Sequence, residues 1–417
     1  MKRYCLFLII LIGMVILGGC TSSNTNSLRI NNNLLRETWM SQMNRDPSLW
    51  TRTGDRWFFS GEPNQTERDA IAAGNDQAMT VQAVKVPQFT NINIIGSFQV
   101  QIAGEQDQNS VYIVGPNSLT RQAGVEVSGN TLTIRQIRIG DTCCENLNAV
   151  IVRIGIHNLR CLNVEGVAHV EGRNILSDRL TVESSNNGDI LLAGFINLRK
   201  VNNNGAGTIS IIGARAPNVI VNAYGSGTVN ISGRVGVNRI NHFGSGEVNI
   251  IGADTNALAI NSGGNGLTSV LGCVGLRNVT AVDYSHVFVQ CVRTNIVSVL
   301  AKNCAEVGLS GYATNADITL MDGARFYGGS LRAGSVYIKT FGDSHANIAA
   351  NGKIFIAAND QSSIYYYGST KIASTFTTSN SSVIPVWPDN NSWPASPVVN
   401  RENQQQYLTK TQQTYGN

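Results

Sequence analysis

Residues 205–224 read GAGTISIIGARAPNVIVNAY, residues 225–243 read GSGTVNISGRVGVNRINHF, and residues 244–262 read GSGEVNIIGADTNALAINS. The three segments are 20, 19 and 19 residues long, and each begins with Gly-x-Gly followed by alternating aliphatic residues. Alternation with a period of two is typical of β-strands that bury one face. A repeat of about twenty residues indicates that each segment forms one structural unit stacked on the next.

The repeat continues over ten segments when their aliphatic residues are aligned. A first, almost wholly apolar column recurs at steps of 18–20 residues and comprises Ile190, Ile209, Val229, Val248, Thr268, Val287, Val307, Phe326, Ala346 and Ile364. A second column lies eight residues earlier in every segment and contains only β-branched aliphatic residues, namely Val182, Val201, Val221, Ile240, Ile260, Val279, Val299, Ile318, Ile338 and Ile356.

These columns predict an all-β fold, a parallel β-helix or β-solenoid with coils of 19–20 residues. Each strand would pair with its counterpart one coil away, at about 4.8 Å. The aliphatic columns then fill the bore of the solenoid. Glycines such as Gly227 and Gly246, two residues before the first column, occupy the corners, where the backbone turns or approaches another coil closely.

The 417-residue chain is poor in charge. Only 14% of its residues are charged, against about 25% in ordinary soluble domains. The formal net charge is +4, which argues against a nucleic-acid-binding protein, because such a protein needs a strongly basic face. Hydrophobic residues make up 42% of the chain, which argues against disorder.

The first twenty residues are similar to the export signal of bacterial lipoproteins. A basic start (Lys2, Arg3) precedes an apolar run that ends in Leu17-Gly18-Gly19-Cys20, which resembles a lipobox. The resemblance implies that residues 1–19 are a signal peptide and that Cys20 receives lipid chains such as palmitate. It also implies a protein anchored in the bacterial outer membrane, facing the periplasm or the cell surface.

Composition divides the rest of the chain into four regions. Residues 20–33 are rich in Ser, Asn and Thr and predict a flexible spacer after the lipidated cysteine. Residues 34–80 predict a small N-terminal module that is partly helical and partly irregular. Residues 81–384 form the predicted β-helix, and residues 385–417 form a tail rich in Pro, Trp and Gln.

Both ends of a parallel stack of coils need protection, because open strand edges pair with other molecules. The 34–80 module, with a short helix expected after Asn33 and another over Thr66–Ala73, would cover one end. Trp387 and Trp393 in the tail would cover the last coil at the other end. The alternative is that these two tryptophans dock a partner.

Six cysteines follow Cys20, and export would permit them to form disulfide bonds. Cys273 and Cys291 fall on consecutive coils at nearly matching corner positions. A coil spacing of about 4.8 Å lies within the Cα separation that a disulfide tolerates. This pair therefore predicts a disulfide staple, with buried free thiols as the alternative, and Cys161 has Cys143 or Cys144 as its candidate partner.

The position just before the first column carries charged residues in the later coils. If it faces outward, His286, Glu306, Arg325 and His345 stack one coil apart. One hypothesis is a small polar site in which the carboxylate tunes the pKa of a histidine. The interpretation that we favour is a solvated ladder of charges, in which each pair contributes a few tenths of a kcal/mol.

Two further polar columns have structural explanations. Carboxylates and amides replace glycine at one turn position, where they could bind Ca²⁺ but also suit a left-handed turn; the residues are Asp283, Asn303, Asp322 and Asp360. A column of asparagines predicts hydrogen bonds between stacked amides; it comprises Asn202, Asn222, Asn241 and Asn261. The turn explanation is preferred, so we predict no metal site and no cofactor.

Motifs in the first half of the predicted β-helix point to a known family. They are Phe89-Thr90-Asn91-Ile92, Gly96-Ser97-Phe98-Gln99-Val100 and Val125-Glu126-Val127-Ser128-Gly129-Asn130-Thr131-Leu132. Together with the Gly-Ser-Gly coils up to about Gly252, they make residues 81–252 resemble the putative auto-transporter adhesin, head GIN domain family. The resemblance implies a β-helical, exported protein of the cell surface or periplasm. The lipobox, the Trp-containing N-terminal segment and the later coils depart from the family pattern.

The sequence therefore predicts a non-enzymatic outer-membrane lipoprotein that presents a β-helical rod as a scaffold for binding, adhesion or interaction at the cell envelope. Its expected partners are the membrane, through the lipid, and other envelope proteins or surface glycan, but no nucleic acid. The alternative is a structural subunit of a multiprotein outer-membrane assembly such as a secretion apparatus. A third hypothesis, a glycan-active lyase or hydrolase, requires outward acids on neighbouring coils, such as Glu306 and Asp322.

Overall fold

The protein is a parallel β-solenoid of about 12 turns, which confirms the fold class predicted from the sequence. A computed structural model describes residues 50–53, 56–59, 79–137, 147–368, 370–378 and 380–386. Ten long strands each wind through most of one coil and pair in parallel with the next. They are β11 (His169–Asn186), β12 (Asp189–Asn203), β13 (Ile209–Ala223), β14 (Thr228–Gly244), β15 (Glu247–Gly264), β16 (Leu267–Ala281), β17 (His286–Ala301), β18 (Glu306–Leu320), β19 (Arg325–Thr340) and β20 (His345–Ala358).

Both aliphatic columns lie in register and face the bore. Val229 pairs with Ile209 on one side and with Val248 on the other, and Ile240 of the second column is flanked in the same way. All twenty column residues are buried, with no more than 4% of any of them exposed. Burial of a Val or Ile side chain contributes roughly 1.5–3 kcal/mol, so these columns supply much of the stability of the solenoid.

Each coil bends twice, and the bends divide it into three short segments. We name them the first, second and third sheets, represented in β12 by residues 189–193, 195–198 and 200–203. The first column lies in the first sheet and the second column lies in the third sheet. In most coils the bend between the first and second sheets contains a glycine; at Gly233, φ is 141° and a Cβ would lie 2.1 Å from the carbonyl oxygen of Ala214.

In the bore, a large side chain lies next to a position that has no side chain. Phe326 is the largest residue of the first column, and its ring occupies space that a side chain at Gly328 would need. A Cβ at Gly328 would lie 2.2 Å from Cε1 of Phe326. The ladder shifts register at this point, between Gly308 and Ser310 of the preceding coil. The bulge and the missing side chain together make room for the phenyl ring.

The N-terminal end of the stack is closed by shorter strands, several of them antiparallel. They are β3 (Met79–Val84), β4 (Asn91–Gly96), β5 (Gln99–Ala103), β6 (Ser110–Pro116), β7 (Ala123–Ser128), β8 (Thr131–Gln136), β9 (Ile151–Gly155) and β10 (Cys161–Gly166), with a short helix α1 (Asn117–Thr120) and a 3-10 turn (Leu147–Ala149). Strand β4 pairs in parallel with β8 and β10. Strands β7 and β8 form an antiparallel hairpin around the Gly129-Asn130 turn, and β6 pairs antiparallel with β3 and β9.

The described part of the 34–80 module consists of strands, where the sequence predicted helical and irregular structure. Strands β1 (Trp50–Thr53) and β2 (Arg56–Phe59) form an antiparallel pair. Strand β2 lies against β5 and β11. The two helices predicted in this module lie outside the described residues, as do Cys20 and the spacer.

The last described coil is formed by β21 (Ser363–Tyr367), β22 (Lys371–Thr377) and β23 (Ser382–Val386). Every residue of β22 is exposed, including Phe376 at 63%. Strand β23 continues two residues past the predicted end of the β-helix at residue 384. Trp387 and Trp393 lie outside the described residues, so their role as a cap stays a prediction.

Candidate functional site

The four residues of the predicted polar column stand directly opposite one another. His286 on β17 pairs with Glu306 on β18, Glu306 pairs with Arg325 on β19, and Arg325 pairs with His345 on β20. Because the following residue of each strand belongs to the buried first column, these side chains lie on the outer side of the first sheet.

Glu306 is the centre of this column. Its carboxylate lies 3.2 Å from Nδ1 of His286 and 3.6 Å from Nη1 of Arg325, and its side chain is only 9% exposed. Burial and the Glu306 carboxylate raise the pKa of the Tyr327 phenol, while the Arg325 side chain lowers it. Burial and the Arg325 charge lower the pKa of His345, against the opposing effect of Asp343.

These contacts determine what the column can do chemically. The one carboxylate of the column already has Arg325 and His286 as partners. A general base must instead be available to a substrate proton. The lowered pKa of His345 keeps its imidazole neutral at neutral pH. The arrangement fits the predicted cross-strand ladder of charges. Glu306, however, is more deeply buried than a residue of a solvated ladder.

The acidic turn column adopts the geometry of left-handed turns. Asp283, Asn303, Asp322 and Asp360 all have φ between 58° and 63°. Asp283 accepts hydrogen bonds from the backbone N–H of Gly264 at 3.2 Å and from the side-chain amide of Asn303 at 3.2 Å. Within the described parts of the chain, His, Cys, Asp and Glu residues form no group that could hold a metal ion. This geometry supports the turn explanation over calcium binding.

The asparagine column forms a continuous chain of side-chain hydrogen bonds. Each amide nitrogen donates to the oxygen of the residue one coil earlier, at 2.7–2.9 Å, from Asn261 through Asn241 and Asn222 to Asn202. Asn202 in turn donates to Glu183 at 2.7 Å. Because every amide has a partner in the row, this ladder ties the third sheets of five consecutive coils together.

Cys273 and Cys291 form a disulfide bond, with their Cα atoms 4.6 Å apart. Cys291 has a positive φ of 62°, at the corner where other coils carry glycine. Cys161, for which Cys143 or Cys144 was the candidate partner, is a free thiol. Burial raises the pKa of the Cys161 thiol, and the nearby Glu183 carboxylate adds to the effect.

The outer surface carries two clefts that were not predicted from the sequence, one at the bend between the second and third sheets and one on the second sheet. The first has a volume of about 340 Å³ and is lined by Arg160, Asp178, Arg179, Thr181 and Arg199. The second has a volume of about 630 Å³ and is lined mainly by Arg215, Pro217, Arg234, Asp254 and Asn256. The two clefts therefore present five arginines and two aspartates.

Each aspartate pairs with one arginine of its own cleft. Arg160 donates to Asp178 at 2.8 Å, and this contact holds the pKa of the Asp178 carboxyl below its usual range. Arg234 donates to Asp254 at 3.1 Å. One feature of the sequence could have predicted these clefts. Arginine recurs in successive coils between the two aliphatic columns, a part of the repeat in which no column of residues was aligned.

Aromatic side chains stand on the outer surface in stacked arrangements. The rings of Tyr224 and Phe243, on consecutive coils, are 6.3 Å apart and nearly parallel. The rings of Tyr337 and Phe355 stack at 4.5 Å. Among the residues that the structure describes, seven aromatic residues are 44–63% exposed; they are Phe195, Tyr224, Phe243, Tyr284, Tyr312, Tyr337 and Phe376. Exposed aromatic rings are typical of binding surfaces.

A search of the described residues for a helix long and apolar enough to span a membrane finds none. A search of curated proteins finds no match to the chain. Among solved structures, a putative adhesin from Bacteroides fragilis NCTC 9343 is 16% identical, with a TM-score of 0.22, covering 74% of this chain and 97% of that one. A putative adhesin from Parabacteroides merdae ATCC 43184 is 12% identical, with a TM-score of 0.24, covering 74% and 96%.

A putative lipid binding protein from Parabacteroides distasonis ATCC 8503 is 13% identical, with a TM-score of 0.24, covering 74% of this chain and 96% of that one. The family model described as "Putative auto-transporter adhesin, head GIN domain" matches residues 88–272 and 277–370. The match thus continues well beyond Gly252, where the resemblance in the sequence had been traced. Because the matched segments make up more than half of the chain, the protein belongs to the head GIN domain family of putative auto-transporter adhesins.

Proposed function

We propose that this protein is a lipoprotein of the outer membrane whose solenoid acts as a non-enzymatic binding module at the cell envelope. Its family is described as one of putative auto-transporter adhesins, which suggests a binding or adhesion role at the envelope. The observation that carries the proposal is the set of exposed aromatic residues on a rigid, regularly hydrogen-bonded rod. Such rings offer large contact areas at little cost in conformational entropy.

The stacked pair of Tyr224 and Phe243 is the part of this surface that we assign to adhesion. Both side chains are about half exposed, and each follows an asparagine of the hydrogen-bonded ladder by two residues, Tyr224 just after the end of β13 and Phe243 within β14. Phe243 pairs with Gly263 on the following coil, and the backbone N–H of Tyr224 donates to the carbonyl oxygen of Asn203 on the preceding coil at 2.9 Å. The rings are therefore held in place before a partner arrives, which lowers the entropic cost of binding.

The adhesive role can be tested on intact cells of the producing strain. The mature chain from residue 20, carrying Cys20→Ser, is labelled and added to the cells. We expect the Tyr224→Ser/Phe243→Ser variant to bind at least about fivefold more weakly, because aromatic anchors dominate contact energies. The matched control is Ser226→Ala/Ser245→Ala at the same corners, which should bind within about twofold of wild type.

Unchanged binding of the aromatic variant would contradict the assignment of these rings to adhesion. Cross-linking and purification of the protein from membranes tests the alternative that it is a structural subunit of an outer-membrane assembly. Recovery of the same partners at fixed stoichiometry would favour that alternative. Turnover of a glycan by the purified protein would favour the third hypothesis, an enzyme.

Anchoring through Cys20 predicts a second measurable result. We expect Cys20→Ala to abolish incorporation of a palmitate analogue and to move the protein from the membrane fraction to the soluble fraction, because the cysteine is the site of lipid attachment. The matched control is Cys5→Ala, which lies within the predicted signal peptide and should leave both readouts unchanged. Labelling that survives Cys20→Ala would contradict the proposal.

A further inference from the structure

The charges of the solenoid are separated between its faces. In the coils from residue 156 to residue 336, the second-sheet segments and the bends that join them to the third sheets carry eight exposed arginines, namely Arg160, Arg179, Arg199, Arg215, Arg234, Arg277, Arg293 and Arg332. The same segments carry only two acids, Asp178 and Asp254. We call this surface the basic face. The exposed acids of these coils lie mainly elsewhere, for example at Glu165, Asp189, Glu247, Asp283 and Asp322.

The basic face is long. Coils follow one another at about 4.8 Å, so nine steps from the coil of Arg160 to the coil of Arg332 span roughly 43 Å. Register places Arg215 opposite Arg234, and Arg293 and Arg332 on either side of Tyr312. A row of charge on this scale matches an extended polymer better than it matches a single small anion.

The two clefts lie in the N-terminal half of the basic face and make its surface concave there. Asp178 and Asp254 each pair with one arginine, so the excess positive charge of the clefts comes from Arg179, Arg199 and Arg215. The guanidinium of Arg215 lies 5.1 Å from the ring centroid of Phe195, which is itself 58% exposed. Planar guanidinium groups bind carboxylates and sulfates through paired hydrogen bonds.

We propose that the basic face binds a linear acidic polysaccharide that lies along the solenoid axis, with its carboxylate or sulfate groups in the arginine clefts. The site is distinct from the stacked pair Tyr224/Phe243 and extends the proposed binding function to a second face. A polysaccharide fits better than a membrane, because the clefts are concave and a planar bilayer surface cannot enter them. The rise of one coil is also comparable with the length of one sugar ring.

The test uses the mature chain with Cys20→Ser, so that no lipid contributes to binding. Polygalacturonate is the probe, uncharged dextran is the control polymer, and binding is measured by calorimetry at low and at physiological salt. We expect wild type to bind polygalacturonate but not dextran, with affinity that falls as salt rises. The Arg179→Gln/Arg199→Gln/Arg215→Gln variant should bind at least tenfold more weakly.

The matched control is Arg121→Gln/Lys302→Gln/Lys339→Gln, which removes the same charge away from the basic face and should bind within about twofold of wild type. Equal losses in the two triple variants would overturn the proposal. So would binding to vesicles of phosphatidylcholine and phosphatidylglycerol, or to single-stranded DNA, without binding to polygalacturonate. The Tyr224→Ser/Phe243→Ser variant should keep polygalacturonate binding, so this proposal and the adhesive one fail separately.

Discussion

Gly246→Ala is expected to destabilise the protein by roughly 3 kcal/mol or more, a large effect for the addition of one methyl group. A Cβ at Gly246 would lie 1.9 Å from the carbonyl oxygen of Gly227, one coil earlier. The obstructing atom belongs to the backbone of a hydrogen-bonded ladder, so no side-chain rotation can relieve the clash. Two coils would have to separate locally, which breaks pairing between β14 and β15.

Urea unfolding followed by circular dichroism measures this loss. The control is Gly129→Ala in the β7–β8 turn, where φ is 55° but nothing lies within 4 Å of the added Cβ. That variant should lose only about 1 kcal/mol, the usual cost of a left-handed conformation for a residue with a side chain. Equal losses in the two variants would contradict the view that close approach between coils, rather than φ, requires glycine at position 246.

Acid should weaken the fold through His242. This side chain is fully buried in the bore, its Nδ1 lies 3.0 Å from Oγ1 of Thr268, and its Cε1 would lie 2.4 Å from a Cβ at Gly266. Burial lowers the pKa of His242 from 6.5 to about 4. Above pH 6.5 the histidine is neutral in both folded and unfolded chains, so its contribution to stability is fully present there.

Between pH 6.5 and pH 4 the unfolded chain binds a proton at this position and the folded chain does not. Stability therefore falls by roughly 3 kcal/mol as the pH decreases through this range. His242→Asn should remove this part of the pH dependence, because asparagine already occupies the same column at Asn203. His169→Gln, at an exposed site, should keep the wild-type pH dependence. The same acid sensitivity in His242→Asn and wild type would contradict the assignment to His242.

The two aliphatic columns were sufficient to predict the fold, because each coil repeats the same inward positions at nearly constant spacing. The bore accepts one residue per coil at each position, so a fixed step in the sequence becomes a fixed stack in space. The stacking of His286, Glu306, Arg325 and His345 one coil apart was predicted from the same constant spacing. The burial of Glu306 was not, because it depends on neighbours from three coils.

The basic face escaped prediction for a physical reason. The ladder shifts register at the bends, for example between Asn197 and Lys200, so residues between the columns have no constant offset from coil to coil. Which of them face outward is decided by the bends. The net charge of +4 also concealed the arrangement, since acids on the other faces cancel the arginines. The antiparallel strands at the N-terminal end lie outside the repeat and left no periodic signal.

The stacking of coils has a consequence for the dimensions of the molecule. Each long strand contacts chiefly the strand before it and the strand after it, so an interior coil is supported by its two neighbours alone. Gain or loss of one whole coil in a descendant sequence would preserve every type of contact and change the reach of the rod by about 4.8 Å. The length of the rod is thus set by the number of repeats, independently of the side chains on its faces.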